Sequence, residues 1–244
     1  MKNKTLVIIP SRIGSTRLAK KPLLKIGNQT MIERVSIQTI ASGLANIYVA
    51  TDDIDIFNQL SECRINSIMT PSDCQSGTDR VYTAWQKLSN KNQFDYIINV
   101  QGDMPFVDPS IIQKVAEALW ESKCDIVTPV VKVNTDDAIS ESNVKVVATL
   151  NNKALYFSRS LIPNGATEFL YHVGIYGYKA QSLEKFVNLP MTFLEKVERL
   201  EQLRALENGM SIEICYVDTM PISIDTPADL EKAQNYYNII KTWQ

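Results

Sequence analysis

The first 32 residues contain no aspartate or glutamate, although the 244-residue chain carries 27 acids against 25 lysines and arginines. That span holds Lys2, Lys4, Arg12, Arg17, Lys20, Lys21 and Lys25, and Glu33 is the first acid. A cationic stretch in a chain of net charge −2 marks a local anion site rather than a polyanion surface, so nucleic-acid binding is not expected. Histidine is scarce, with His172 alone. The four cysteines, Cys63, Cys74, Cys124 and Cys215, form no CxxC pair and no zinc spacing, and read as reduced, mostly buried thiols. Apolar runs such as residues 6–9 fall far short of the ~20 residues that span a bilayer. The start MKNKTLVIIPSR has no apolar segment of signal-peptide length. A cytoplasmic protein with no membrane insertion is the expectation. No Ser–His–Asp or Cys–His order points to nucleophilic catalysis.

What is present is alternation. Apolar, β-rich runs at 5–9, 47–51, 96–100, 125–130, 144–149, 173–178 and 212–217 read as strands. Amphipathic stretches at 31–42, 79–88 and 109–121 read as helices. Strands alternating with helices imply βαβ units and a largely parallel sheet. Thr30 with Glu33 has capping-box spacing, and Gly43 closes that helix. Asp108 before Pro109 is a helix start. Thr192 with Glu195 opens FLEKVERLEQLRALENG, read as one helix to Gly209, with Leu194, Val197, Leu200 and Leu203 along a buried flank. Thr226-Pro227 with Asp229 opens the last helix. Residues 134–178 differ: short strands with turns at Asn151-Asn152 and Asn164-Gly165 suggest an antiparallel insertion, a lid or dimer-forming subdomain. The expectation is one domain, residues 1–244, carrying that insertion.

IIPSRIGSTRLAKKP, residues 8–22, follows the first strand directly. Ligands of open α/β sheets bind beyond the carboxyl ends of strands. Here Ser11, Gly14, Ser15 and Thr16 offer hydroxyl and backbone donors, and Arg12, Arg17 and Lys21 can neutralise a polyphosphate. The segment is neither a GxxxxGK[ST] loop nor a GxGxxG fingerprint. A solvated basic loop is the plainer reading. Asp103 follows another apolar run in YIINVQGD, after a glycine that permits close approach. Asp225 in ISIDTPADL repeats the placement. Two such acids suit magnesium, which takes one or two carboxylates and completes its shell with phosphate oxygens and water. The plainer readings are a turn acid and an acid at a helix start.

Taken in order, PSRIGSTRLAKKP, SGTDR (76–80), VQGD (100–103), NVKVV (143–147), ALYFSRSLIP (154–163), HVGIYGY (172–178), LEQLR (200–204) and IDTPADL (224–230) resemble the 3-deoxy-manno-octulosonate (Kdo) cytidylyltransferases, the CMP-Kdo synthetases of lipopolysaccharide biosynthesis. The resemblance spans nearly the whole chain. It implies a Rossmann-like α/β nucleotidyltransferase, commonly a homodimer, that joins CTP and Kdo to give CMP-Kdo and pyrophosphate with Mg²⁺. It makes Arg12, Arg17 and Lys21 the CTP phosphate ligands. It places Pro10, Ser11, Ser76, Gly77 and Arg80 around the cytidine, with Gln75 nearby. It makes Asp103 and Asp225 the metal ligands, so that Arg12, Lys21, Asp103 and Asp225 carry the catalysis. Arg159, His172, Tyr176, Glu201 and Gln202 become sugar contacts, with Gln101 between sugar and nucleotide. Each of these sugar residues also has a plain reading as a core or surface side chain. Two positions depart from the family: Met104 stands where a Glu is usual, and Cys74 where a His is frequent. Other readings are the same transfer to 8-amino-Kdo or to sialic acid, and a catalytically silent nucleotide-binding module.

Overall fold

The computed structural model describes residues 1–14 and 17–241. Ser15 and Thr16, offered above as loop donors, lie outside the described residues.

In chain order the strands are β1 (Thr5–Ser11), β2 (Lys25–Ile26), β3 (Gln29–Thr30), β4 (Asn46–Thr51), β5 (Ser67–Met69), β6 (Tyr96–Asn99), β7 (Ile126–Asn134), β8 (Lys145–Ala148), β9 (Ala154–Ser158), β10 (Glu168–His172), β11 (Tyr176–Lys179) and β12 (Ile212–Tyr216). The helices are α1 (Met31–Ala41), α2 (Ile54–Glu62), α3 (Gly77–Lys87), α4 (Pro109–Glu121), α5 (Thr135–Ala138), α6 (Ala180–Val187), α7 (Phe193–Glu198), α8 (Gln202–Glu207) and α9 (Pro227–Lys241). They fall into two compact units. The first comprises Lys2–Phe94, Asn99–Ser110 and Pro221–Gln244; the second comprises Met1, Asp95–Ile98 and Ile111–Met220.

In the first unit β1 pairs in parallel with β4, and β4 with β5. All seven residues of β1 are buried, as expected for a parallel strand covered on both faces. The Thr30–Glu33 capping box forms at the start of α1, as the spacing predicts. A second box, Ser76 with Asp79, starts α3 two residues earlier than its apolar pattern suggests. Helix α9 packs over the β2–β3 hairpin: Ile26, Met31, Ile224 and Ala233 form a buried cluster, flanked by Leu18, Phe106, Leu230 and Tyr237. Gly27, at φ +63°, lies under the Tyr237 ring, where a Cβ would come within 2.1 Å of a ring carbon. This packing anchors the end of the chain beside its beginning.

In the second unit the strand order is β6-β11-β7-β10-β8-β9. β7 takes β10 and β11 antiparallel and β12 in parallel. β8 runs antiparallel to both β9 and β10. The mixed sheet expected from the sequence is present, with antiparallel pairing concentrated between residues 126 and 179.

The helix expected over 193–209 is two helices. Arg199 adopts φ 56°, ψ 46° and stops α7, and α8 restarts at Gln202. Leu200 N–H then bonds the Glu195 carbonyl, a reverse-turn closure that usually carries glycine at the left-handed position. Arginine there costs roughly 1–2 kcal/mol. The anticipated stripe is broken with it: Leu200 and Leu203 are buried, whereas Val197 is 64% exposed. The cysteines are free as expected, but only Cys124 is buried, and Cys63 is exposed.

Candidate functional site

Beyond the carboxyl end of β1 lies a cavity of about 300 Å³. Its lining includes Pro10, Ser11, Arg12, Gly14, Arg17, Lys21, Cys74, Gln75, Ser76, Gly77, Arg80, Gln101, Gly102, Asp103 and Asp225. Every phosphate-, cytidine- and metal-assigned residue named from the sequence is therefore in one place. The reason is local. β1 delivers the cationic loop. The Ser76 cap aims the start of α3 at the cavity. The segment after β6 carries Gln101 and Asp103, and Val100 N–H bonds the Ile8 carbonyl to hold it against β1. Gly102 permits this closeness, since a Cβ there would lie 2.9 Å from the Pro10 carbonyl oxygen.

The two distant aspartates meet because Ile224 N–H donates to the Asp103 carbonyl at 2.9 Å. Asp229 then caps α9, accepting from Asp225 N–H at 3.2 Å and Thr226 N–H at 2.9 Å. Lys21 Nζ lies 3.0 Å from Asp103 Oδ2, from Asp225 Oδ1 and from the Ile224 carbonyl oxygen. The carboxylate oxygens are thus no farther apart than twice that distance. Burial pulls the Lys21 pKa down, but Asp103 and Asp225 outweigh it, and the net shift is upward. Arg17 adds an exposed ion pair to Asp225 at 3.2 Å.

Three oxygens around one ammonium make a position that draws a cation. Their chemistry, two carboxylates and a carbonyl, is the hard oxygen set magnesium prefers. No group of three or more His, Cys, Asp or Glu able to hold a metal occurs among the described residues. Any ion held by Asp103 and Asp225 would therefore complete its shell with ligand oxygens and water. Ser11 Oγ is buried on the cavity wall with no hydrogen-bond partner, which leaves it for a bound molecule.

Arg80 lines the cavity but is committed elsewhere. Its guanidinium pairs with Asp52 at 2.9 Å and donates to Thr70 Oγ1 at 2.6 Å and to the Pro71 carbonyl at 3.1 Å. Asp52 also accepts from Ile13 N–H at 3.2 Å, pinning the cationic loop. Sequence reasoning passed over Asp52, although it follows β4 as Asp103 follows β6. Gln75 is exposed, its amide turned to the Asp73 carbonyl at 2.8 Å. Met104 is buried, placing an apolar side chain in the packing behind Asp103.

The sugar-assigned residues lie in the second unit. His172 is buried, and its Nε2 lies 2.9 Å from Thr128 Oγ1. Thr128 donates its one proton to the Ile175 carbonyl at 2.8 Å, so His172 Nε2 is the donor. Burial lowers its pKa to about 3. Such a ring can accept a hydrogen bond but cannot pair with a carboxylate at neutral pH. The ring meets Phe157 edge-on and Tyr176 at a tilt, at 5.0 and 5.3 Å between centroids. Tyr176 O–H donates to Gln202 Oε1 at 3.1 Å; burial first, then the Glu201 charge, raise its pKa well above the usual phenol value. Gln202 Nε2 is buried without a partner. A buried amide donor without a partner in an otherwise satisfied aromatic cluster points to a ligand acceptor. Arg159 lies two residues beyond Phe157 in the same strand-end segment. Glu198 and Lys145, which surround it, were not singled out from the sequence.

A cationic loop after a strand, two converging carboxylates and a polar cavity on an α/β scaffold define a nucleotidyltransferase. The comparisons sharpen this. The cytidylyltransferase family model matches residues 6–212. The 3-deoxy-manno-octulosonate cytidylyltransferase of Rickettsia bellii (strain OSU 85-389) is 55% identical over 231 residues, 95% of each chain. That of Rickettsia rickettsii (strain Sheila Smith) is 55% identical over 234 residues, 96% of this chain and 97% of the other. A solved CMP:2-keto-3-deoxy-manno-octonic acid synthetase, complexed with CTP, superposes with a TM-score of 0.91 at 34% identity, covering 97% of this chain and 99% of that one. The chain belongs to the cytidylyltransferase family, among its 3-deoxy-manno-octulosonate cytidylyltransferases.

Proposed function

We propose that this chain transfers CMP from CTP to the anomeric hydroxyl of Kdo, releasing pyrophosphate and supplying CMP-Kdo for lipopolysaccharide biosynthesis. One observation carries the reading: in a chain 55% identical to Kdo cytidylyltransferases, Lys21, Asp103 and Asp225 converge in the cavity that the cationic loop lines. Catalysis of this kind rests on positioning and charge neutralisation rather than on covalent chemistry. Arg12, Arg17 and Lys21 bind and orient the triphosphate, and the sugar hydroxyl attacks the α-phosphorus in line with pyrophosphate departure. Asp103 and Asp225 would hold Mg²⁺, which supplies charge neutralisation and activation of the hydroxyl when bound. Arg159 pairs with the sugar carboxylate. Tyr176, Glu201, Gln202 and neutral His172 meet its hydroxyls, with Gln101 between sugar and nucleotide.

The reading extends to a cytoplasmic homodimer. In support, no helix among the described residues is long and apolar enough to cross a membrane. Leu150 and Leu155, on the antiparallel insertion, and Tyr216 are exposed apolar surface of the kind a second copy covers.

The test is pyrophosphate release with CTP and a panel of Kdo, 8-amino-Kdo and sialic acid. Kdo is expected to give the highest kcat/KM. Preference for another acid sugar would move the substrate, and no release with any would leave only a nucleotide-binding module. Sedimentation of the purified chain as a monomer would overturn the dimer.

A further inference from the structure

The Arg159 guanidinium makes no ion pair among the described residues; carbonyl oxygens hold it. Nε donates to the Glu198 carbonyl at 3.0 Å, one terminal nitrogen to the Glu141 carbonyl at 3.0 Å, and the other to the Arg199 carbonyl at 3.4 Å. Two of these carbonyls belong to the end of α7. They are open to Arg159 because the left-handed turn at Arg199 stops the helix there, and a continued helix would have used them internally. The strain at Arg199 thus coincides with the cradle.

The Arg159 backbone is fixed as tightly. Its N–H donates to Glu198 Oε2 at 3.0 Å, while Glu198 Oε1 accepts from Ser158 Oγ at 2.8 Å and from Tyr156 O–H at 3.3 Å. The Arg159 carbonyl accepts from Lys145 Nζ. Lys145 is wholly buried, and its ammonium also holds the Ser140 carbonyl at 3.3 Å and the Asn143 carbonyl at 2.6 Å, tying the loop before β8 to the end of β9. A lysine buried against carbonyls alone is a costly arrangement. Neutral carbonyls fix the position of the guanidinium without cancelling its charge. Three of its five N–H groups are used, leaving two for a carboxylate.

We propose that Glu198, Lys145 and the helix break at Arg199 are positioning elements that aim Arg159 at the carboxylate of the acid sugar and so set the preference for it over uncharged sugars. The proposal rests on the reading of Arg159 as the carboxylate partner. The experiment measures KM for CTP and for Kdo, and the ratio of kcat/KM for Kdo over its carboxamide, in wild type, Arg159→Ala, Glu198→Gln, Lys145→Met, Arg199→Gly and Arg199→Val. Glu198→Gln leaves one acceptor oxygen where the carboxylate had two, so the Arg159 N–H competes for it with the Ser158 and Tyr156 hydroxyls. It is expected to raise the Kdo KM about tenfold, as loss of a supporting hydrogen-bond partner does for a ligand-binding group, and to shrink the acid preference. Its CTP KM and melting temperature stay near wild type. Arg199→Val, which disfavours the left-handed turn, raises the Kdo KM more than Arg199→Gly, which keeps it. Lys145→Met follows Glu198→Gln provided it remains folded by circular dichroism, and Glu198→Gln decides the matter if it does not. A raised sugar KM in Arg159→Ala with wild-type values in Glu198→Gln and both Arg199 variants would overturn the positioning proposal. No change in Arg159→Ala would instead overturn the carboxylate reading beneath it.

Discussion

The two units hold their candidate residues in opposite ways. In the first, the side chains are charged, partly solvated and carried on loops past strand ends; Arg17 is 65% exposed and Lys21 17% exposed. In the second, His172, Tyr176 and Gln202 are buried and neutral, and Arg159 and Glu201 are partly buried; His172, Tyr176 and Arg159 are fixed by hydrogen bonds to neighbouring side chains and backbone carbonyls. The difference follows the ligands proposed for them. A triphosphate is a dense anion that many cation arrangements can hold, so charge and access matter more than a single geometry. A sugar acid is recognised by one carboxylate and several hydroxyls, so donors and acceptors must be few, dry and fixed.

The sharpest way to break this contrast is through Arg80, a first-unit residue held like those of the second. Its ion pair with Asp52 is almost wholly buried, at 3% and 9% side-chain exposure. Arg80→Met leaves Asp52 as a buried charge without its cation and is expected to lower unfolding stability by roughly 3–5 kcal/mol. Arg17→Met removes an exposed pair and should cost less than ~1 kcal/mol while raising the KM for CTP. Urea denaturation of both variants separates the outcomes. Wild-type stability in Arg80→Met would return that residue to the set of nucleotide ligands.

A smaller effect on stability, but a large one on turnover, is expected at Asp103. Asp103→Asn keeps the shape and removes one of the two carboxylates around Lys21. Transition-state stabilisation should fall by at least ~2 kcal/mol, roughly thirtyfold in kcat/KM. Its melting temperature should stay close to wild type, since Asp225 still pairs with Lys21. Turnover near wild type would remove Asp103 from the charge-neutralising role and with it the distinction between a catalytic first unit and a recognising second one.

How far the sequence revealed each unit follows from the same difference. Strand-end loops announce themselves: β1 feeds PSRIGSTRLAKKP, and β6 feeds QGD, within a few residues of an apolar run. Even the link between Asp103 and Asp225, which rests on a single backbone bond from Ile224, was foreshadowed by their matching positions after such runs. In the second unit the informative bonds are made by carbonyls, and carbonyls leave no mark on residue type. Nothing in FLEKVERLEQLR announces a left-handed residue at Arg199, because the glycine that usually signals one is absent. Helix α2 was passed over for a related reason, with Ile56 and Leu60 its only buried apolar residues. Glu198 and Lys145 carry no sequence signal of their own, since their roles arise only once the strands around them are paired.

The smallest and most selective test uses acidity, which should separate the units by chemistry alone. His172 is held neutral, with a pKa near 3 against an ordinary value of 6.5. The unfolded chain therefore takes up this proton before the folded one does. The stabilisation is complete above pH 6.5 and is lost progressively as pH falls toward 3. At pH 5 the loss attributable to His172 is about 2 kcal/mol, from one and a half pH units at about 1.4 kcal/mol each. His172→Gln removes the proton site while retaining a donor for Thr128. The difference between wild-type and variant stability, measured by urea denaturation at pH 7 and pH 5, should shift in favour of the variant by about that amount. Lys21, whose pKa is raised, keeps its charge across this window, and the variant removes only the second unit's own proton site. Equal slopes in the two proteins would mean that His172 is open to solvent in solution, and the dry, neutral character of the second unit would have to be abandoned.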